Sequence, residues 1–266
     1  MPFSQRLKLD EVVLIVREKW VANQGLRLQV LDSNEHISER VPVLFIPGAL
    51  RSAEFYLTEM ASLVERRCVA VSVRGHGKSD APESGYSFEN LVSDIEAAVD
   101  ALGLRSFCLY GFSLGVALGL GYAVRHPDNL AGLVIGDYPA RYPAFSSSWV
   151  SRILSTTPPS KHYVVRALQK ESREVQLWDR LGIIKCPTLI MRGGGPEALL
   201  KPEETDMYLQ YLPHAEVVVF QESGHELWRP DYVKYIGVIR EFLSRLEGGR
   251  GGEQDGPSGL LEREVG

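Results

Sequence analysis

The chain has 266 residues, 44% of them hydrophobic and 24% charged, and its formal net charge is −5. This composition is that of an ordinary globular protein and argues against a chain that is disordered throughout. The acidic balance also argues against a nucleic-acid-binding protein, which usually carries a strongly basic face. Because the N-terminal residues contain no apolar segment of the length that a signal peptide or membrane span needs, we expect a cytoplasmic protein without a membrane partner.

Strand-like and helix-like segments alternate along residues 1–247. The first predicted element is a hairpin whose strands, 12–21 and 26–31, flank a turn signal at Asn23-Gln24-Gly25. Short apolar runs predict further strands at 43–46, 68–73, 107–110, 130–135, 187–191 and 216–220. Helices are predicted between them at 54–65, 87–102, 114–125, 202–212 and 231–246. Strands that alternate with crossover helices predict an α/β protein with a mainly parallel sheet.

Two segments depart from this alternation. Residues 138–185 are too many for a simple crossover and contain several aromatic side chains. They are consistent either with a helical excursion that has its own small core or with a lid over a functional site. Residues 248–266 include seven glycines, at 248, 249, 251, 252, 256, 259 and 266. Such a composition predicts a flexible tail, because it offers little apolar surface to offset the entropy of ordering.

A candidate nucleophile lies between a predicted strand and a predicted helix. The segment Gly111-Phe112-Ser113-Leu114-Gly115 matches the pattern G-x-S-x-G in the strand–turn–helix context that gives this pattern its meaning. The sharp turn requires small residues two positions before and two positions after the serine. It would present the Ser113 hydroxyl above the sheet and direct the Leu114 N–H, at a helix N-terminus, towards an oxyanion. A purely structural turn is the alternative.

Because of this strand–turn–helix segment around Ser113, the chain resembles the α/β-hydrolase fold superfamily, in particular its serine esterases, lipases and lactonase-like hydrolases. The loop 45–49 (FIPGA) is similar to the His-Gly-X oxyanion loop of that family, with Pro47 at the usual histidine position. The backbone N–H of the residue after the glycine would suffice, which implies a role for Ala49. The loop 74–80 (RGHGKSD) is similar to a structural R-G-x-G-x-S loop of the family.

The resemblance covers nearly all of residues 1–247 and implies a specific architecture. It implies a mainly parallel, eight-stranded sheet with helices on both faces and a short helical lid inserted after the sixth strand. The implied layout is a core of residues 1–137 and 186–247, a lid of residues 138–185 and a tail of residues 248–266.

A serine nucleophile needs a base within hydrogen-bond reach. His225 follows the last predicted strand of residues 1–247 and precedes their last predicted helix, where the resemblance implies the catalytic histidine. His76 is the nearest rival, but it lies in a turn motif between two glycines.

The acid of the implied triad is less clear, because Pro196 stands at about the position where most relatives have an aspartate. Glu197 is the next residue. The family also places its acid after the preceding strand, where this chain has Asp137. We expect Asp137 to be the acid, with Glu197 as the alternative.

These residues imply two-step acyl transfer by Ser113, His225 and the acid, with Ala49 and Leu114 as the oxyanion hole. The substrate pocket is expected to include Leu50, Phe112, Tyr138, Tyr142, Phe145 and Trp149. They favour an apolar or aromatic small-molecule ester or lactone as substrate. Arg141 and Arg152 could bind a carboxylate of the substrate, although a solvated lid surface is the simpler interpretation.

No metal-ligand cluster is recognisable in the sequence, and the chemistry needs no metal and no organic cofactor. Two alternatives remain open: a carbon–carbon bond hydrolase or lyase-like enzyme with the same triad, and a non-catalytic ligand-binding member of the fold. The oligomeric state is not predicted.

Overall fold

A computed structural model describes the backbone of residues 4–9, 12–248 and 262–265, and the side chains of residues 14–248. The described residues form twelve strands: β1 (Ser4–Leu9), β2 (Val12–Asn23), β3 (Leu26–Ser33), β4 (Val43–Ile46), β5 (Cys68–Val71), β6 (Phe107–Phe112), β7 (Leu130–Gly136), β8 (Arg141–Tyr142), β9 (Val175–Gln176), β10 (Thr188–Gly193), β11 (Ala215–Phe220) and β12 (Glu262–Val265). They also form seven α-helices: α1 (Leu57–Ser62), α2 (Phe88–Ala101), α3 (Leu114–Ala123), α4 (Ser147–Leu154), α5 (His162–Glu171), α6 (Pro202–Tyr211) and α7 (Tyr232–Gly248).

Ten of the strands form one sheet in the order β1-β2-β3-β5-β4-β6-β7-β10-β11-β12. The pairs β2–β3 and β3–β5 are antiparallel, whereas the strands from β5 to β11 in this order are parallel. The eight strands from β2 to β11 confirm the predicted mainly parallel, eight-stranded sheet. β1 and β12, which the sequence pattern did not predict, add one strand at each edge.

The predicted tail falls mostly outside the described residues. Residues 249–261 and 266 lie outside them, so a flexible tail stays a prediction there. Residues 262–265 form β12, which pairs in parallel with β11.

Successive side chains of a strand point to opposite sides of the sheet, so the buried strands present an apolar face on each side. Helices cover both of these faces. In β4, Leu44 and Ile46 belong to the apolar core that includes α2 and α3. Val43 and Phe45 belong to the core that includes α1 and α7. All four residues of β4 are buried, which agrees with their continuous apolar sequence.

Several helix and strand ends differ from the predicted ones. The helix predicted at 54–65 is a 3₁₀ turn, Ala53–Tyr56, followed by α1. The strand predicted at 107–110 extends to Phe112, so that β6 leads directly into Ser113. At α2 the Ser87 hydroxyl accepts a hydrogen bond from the Asn90 N–H at 3.3 Å, which makes it the helix cap.

Residues 138–185 form the pair β8–β9, helices α4 and α5, and two 3₁₀ turns, Pro159–Lys161 and Trp178–Ile183. Val164, Leu168 and Trp178 of this segment belong to the same apolar cluster as α2 and α3.

Three side chains, from α5 and the turn before it, form hydrogen bonds that attach residues 138–185 to residues 75–86. The Glu171 carboxylate accepts the N–H groups of Gly85 and Tyr86, at 3.0 and 2.7 Å. The Tyr163 hydroxyl donates to the carbonyl of Ala81 at 2.8 Å. Lys161 Nζ donates to two carbonyls of the loop 74–80, at 3.2 and 3.1 Å. Among the described residues, the side chains of α4 make no hydrogen bond outside residues 138–185, so these anchoring hydrogen bonds belong to α5 and the turn before it.

Among the residues that the structure describes, none of the helices combines the length and the apolar character that a membrane crossing requires.

Candidate active site

Ser113 occupies a strained turn between β6 and α3. Its backbone has φ 54° and ψ −132°, a conformation that non-glycine residues rarely adopt. The turn depends on two close backbone approaches. A Cβ atom on Gly111 would lie 2.6 Å from the carbonyl oxygen of Gly115, and one on Gly115 would lie 2.1 Å from that of Ile46. Glycine is therefore required on both sides of the serine, as the motif predicts.

The loop after β4 passes beside the serine. β4 pairs in parallel with β6, which brings Gly48 so close that a Cβ atom there would lie 3.0 Å from Ser113 Cβ. A turn closed by the Arg51 N–H and the Gly48 carbonyl, at 3.1 Å, orients the residues between them. Ala49 and Leu114, the two residues expected to supply oxyanion donors, border the same cavity as Ser113. Leu114 is the first residue of α3, so its N–H has no partner within the helix.

Asp137 is completely buried immediately after β7. Its backbone has φ 49°. Its N–H donates to the Met191 carbonyl at 2.8 Å, which ties the residue to β10. The carboxylate accepts three backbone N–H groups: Oδ2 from Leu199 at 2.9 Å, and Oδ1 from Gly193 and Leu200 at 3.3 Å each. These donors compensate the loss of water around the carboxylate.

His225 lies in the loop between β11 and α7 and makes the remaining contact of this carboxylate. Its Nδ1 is 2.7 Å from Asp137 Oδ2. An ionised carboxylate can only accept a hydrogen bond, so Nδ1 is the donor and Nε2 of a neutral ring keeps its lone pair. The imidazole stacks on the Phe112 ring, with centroids 4.7 Å apart and planes inclined by 23°. The residue that precedes Ser113 thereby helps to orient the His225 ring.

Glu197, the alternative acid, is exposed. Its carboxylate lies beside Gly224 in the histidine loop, but the described hydrogen bond of His225 Nδ1 goes to Asp137. The glycines after β10 have another role, since Gly194 N–H donates to the Phe220 carbonyl at 2.8 Å and Gly195 N–H to the Ser223 carbonyl at 2.9 Å. The segment around Pro196 is thus hydrogen-bonded to the loop that contains His225, and its neighbours Gly193, Leu199 and Leu200 donate N–H groups to the Asp137 carboxylate.

The rival histidine, His76, is buried in the loop 74–80, with Nδ1 2.9 Å from the Arg74 carbonyl. Burial lowers the pKa of its imidazole below the ordinary value. The structure does not bring it into the cavity that contains Ser113.

A cavity of about 900 Å³ contains Ser113 and His225. Five residues of the expected pocket line it: Leu50, Phe112, Tyr138, Phe145 and Trp149. Tyr142 does not, because its side chain is completely buried and packs against Phe88 and Phe145 in the core.

Sequence reasoning missed several cavity residues, among them Trp228, Arg51 and Lys161. Trp228 packs edge-to-face on Phe112, with ring centroids 5.0 Å apart. Trp228 could have been predicted as a cavity residue, because it lies three residues after His225 in the same loop. Arg51 directly follows the predicted pocket residue Leu50, which was a comparable signal. Arg141 and Arg152 also border the cavity.

The three cysteines are unpaired, and Cys68 and Cys108 are buried. Burial raises the pKa of both of these thiols far above the ordinary value, which disfavours the reactive thiolate. Within the described part of the chain, no group of three or more His, Cys, Asp or Glu side chains is arranged to hold a metal ion.

Comparisons with known proteins agree with this fold. The model of the α/β hydrolase fold family matches residues 41–154. The cis-3-alkyl-4-alkyloxetan-2-one decarboxylase of Shewanella oneidensis is 30% identical over an alignment of 296 positions, and the alignment covers 89% of this chain and 91% of that protein. The AB hydrolase superfamily protein YisY of Bacillus subtilis is 23% identical over an alignment of 254 positions, and the alignment covers 78% of this chain and 93% of that protein.

Among solved structures, the esterase RhEst1 from a Rhodococcus species superposes with a TM-score of 0.71 at 21% identity, covering 87% of this chain and 99% of that one. The chain belongs to the α/β-hydrolase fold family, as its motifs predict. It is therefore a hydrolase-family enzyme.

Proposed function

We propose that the protein is a serine hydrolase that cleaves a carboxylic ester or lactone of an apolar or aromatic small molecule. The observation that carries the proposal is the 2.7 Å contact between His225 Nδ1 and the buried carboxylate of Asp137, in the loop that borders the Ser113 cavity. A histidine held in this tautomer by a carboxylate is the base that a serine nucleophile needs.

In the first step His225 Nε2 accepts the Ser113 proton while Oγ attacks the carbonyl carbon of the substrate. The tetrahedral oxyanion is stabilised by the N–H groups of Ala49 and Leu114, each of which is worth about 3–4 kcal/mol in such sites. Asp137 stabilises the imidazolium that forms. The imidazolium then gives its proton to the leaving alcohol oxygen, and the acyl group remains on Ser113.

In the second step a water molecule gives a proton to His225 and attacks the acyl-enzyme carbonyl. Collapse of the second tetrahedral intermediate returns the proton to Ser113 Oγ and releases the carboxylic acid. A lactone would follow the same steps, with the alcohol and the acid released as one hydroxy acid. No metal or cofactor takes part.

Residues 138–185 are proposed to form the lid of this site. Tyr138, Phe145 and Trp149 line the cavity, and their apolar surface fits an apolar or aromatic acyl or alcohol group. Because α5 is hydrogen-bonded to residues 81–86, we expect α4 to be the helix that moves when substrate enters.

A fluorophosphonate probe tests the nucleophile directly, because it bonds covalently to an activated serine. We expect one adduct per chain in the wild-type protein, mapped to Ser113 by peptide mass spectrometry, and none in Ser113→Ala. Absence of an adduct on correctly folded wild-type protein would contradict the proposal and favour a non-catalytic, ligand-binding member of the fold.

A second test identifies the bond that is cleaved. The panel contains p-nitrophenyl esters, lactones and a vinylogous diketone, with Ser113→Ala as the control. A carbon–carbon bond hydrolase or lyase-like activity remains the second candidate, because the relative that is 30% identical is named a decarboxylase. Turnover of the diketone without turnover of any ester or lactone would favour that candidate.

A further inference from the structure

The cavity around Ser113 has an excess of positive charge in a chain whose net charge is negative. Four basic side chains border it, Arg51, Arg141, Arg152 and Lys161, against one acidic side chain, Glu226. The Glu226 carboxylate is itself engaged by Arg229, at 3.2 Å. The chain as a whole has 34 acidic and 29 basic residues, so a cavity of average composition would not be basic.

Among the described side chains, only one of the four cations forms an ion pair with a protein carboxylate. Arg141 has Glu204 at 3.6 Å. Among the residues whose side chains the structure describes, no carboxylate forms an ion pair with Arg51 or Arg152. The Arg51 guanidinium lies over the Phe55 ring, 4.9 Å from its centroid, which restricts its position without neutralising its charge.

The two unpaired arginines come from different parts of the molecule. Arg51 ends the turn that begins at Gly48, so it is fixed to the loop that is proposed to hold the oxyanion. Arg152 lies on α4, and Trp149 and Ile153 of the same helix also border the cavity. Residues spaced by three or four positions share a helix face, so Arg152 belongs to the face that α4 turns to the cavity.

Lys161 adds a cation that is partly removed from water. Its Nζ donates to the carbonyls of Gly75 and Gly77, which leaves one of its three N–H groups for another acceptor. Burial lowers the pKa of this ammonium group, because no carboxylate compensates the lost hydration. An anion in the cavity would supply that compensation.

We infer that the substrate carries a negatively charged group, a carboxylate or a phosphate, which Arg51 and Arg152 bind while the ester or lactone carbonyl lies at Ser113. Guanidinium groups suit both anions because their planar N–H donors pair with two oxygens. Low-dielectric walls and one sign of charge would also focus the field in the cavity and attract such a substrate. The carbonyl part of this statement rests on the proposed function, whereas the anion part does not.

The test measures binding without turnover. In Ser113→Ala protein, quenching of tryptophan fluorescence, to which Trp149 and Trp228 of the cavity contribute, is titrated with three probes of similar size. Two are anionic, 4-acetoxybenzoate and 4-acetoxyphenyl phosphate, and one is neutral, 4-acetoxybenzamide. We expect at least one anion to bind about tenfold more tightly than the amide, as a charge-assisted hydrogen bond would give. The stronger of the two identifies the anion.

Substitutions then assign the effect to the two arginines. Arg51→Gln and Arg152→Gln, each added to Ser113→Ala, are expected to reduce the preference for the anion severalfold and to leave binding of the amide unchanged. Arg166→Gln is the matched control, because Arg166 is an exposed arginine of α5 that does not border the cavity. Raising NaCl from 50 to 500 mM should weaken binding of the anion only.

Equal affinities for the anions and the amide would overturn the inference, and so would an equal loss in Arg166→Gln. These outcomes are separate from failure of the proposed function, because binding to Ser113→Ala needs no catalysis. Conversely, hydrolysis of neutral esters that depends on Ser113, combined with no preference for an anion, would retain the hydrolase proposal and reject only the anion site.

Discussion

The carboxylate of Asp137 shows what a single buried charge needs in this protein. Three backbone N–H groups and the His225 imidazole surround it, and its own N–H is bonded to β10. Removing water from a carboxylate costs several kcal/mol unless such donors replace the lost hydration. The sequence could place Asp137 and Glu197 only at the ends of two strands. It could not show which of them receives donors from the other segment.

Asp137→Asn is expected to lower kcat by about 10⁴-fold, because an amide no longer holds the histidine in the tautomer that accepts the serine proton. The measurement is steady-state hydrolysis of the best ester or lactone of the panel, with circular dichroism to verify folding. Glu197→Gln is the matched control and should stay within about twofold of the wild type. An active Asp137→Asn together with an inactive Glu197→Gln would reverse the assignment of the acid.

Helix α3 is positioned by glycines rather than by an amphipathic pattern. All ten of its residues are buried. A helix usually presents a polar face to solvent, so the sequence signal here is the continuous small and apolar composition. Gly115 permits the helix to approach the backbone of β4, and this approach sets the height of Ser113 above the sheet. The sequence predicts small residues beside the serine, but it does not indicate how close the neighbouring backbone comes.

Two alanine substitutions in helices should therefore have opposite effects on the free energy of unfolding. Gly115→Ala is expected to destabilise the protein by on the order of 3 kcal/mol, because the new Cβ would lie 2.1 Å from the Ile46 carbonyl oxygen. Gly237→Ala in α7 should stabilise it by about 0.5–1 kcal/mol, because its Cβ would meet nothing within 4 Å and alanine favours the helix.

Urea denaturation measures both changes. Gly115→Ala is also expected to lose labelling by the fluorophosphonate, whereas Gly237→Ala should keep it. Equal effects of the two substitutions would show that the approach of α3 to β4 is not what demands glycine at position 115.

The stability of the folded protein should depend on pH, because a carboxyl group is buried beside the sheet. Glu59 of α1 is 5% exposed. Burial raises the pKa of its carboxyl from 4.5 to about 7, partly opposed by hydrogen bonding. The folded protein therefore holds a proton that the unfolded chain releases between these two values. By linkage, the free energy of unfolding falls as the pH rises from about 4.5 to about 7 and is then constant with respect to this group.

We expect the wild type to lose on the order of 3 kcal/mol of unfolding free energy relative to Glu59→Gln between pH 4.5 and 8. The measurement is urea denaturation of both proteins at several pH values. The comparison with Glu59→Gln is needed because His76, whose pKa burial lowers, makes stability rise with pH over part of the same range. Parallel pH profiles of the two proteins would show that Glu59 is ionised in the folded state.

The amino-acid sequence was enough to predict the alternation of strands and helices, the family, and the candidates Ser113 and His225. These follow from local signals, such as apolar periodicity and glycine spacing, which act between residues a few positions apart. The contact between Asp137 and His225, 88 positions apart, became visible only in the folded chain. The same holds for the burial of Tyr142 in the core and for the place of Arg51 and Trp228 at the cavity. Such contacts depend on where distant segments meet at the ends of the parallel strands, and no local pattern encodes that meeting.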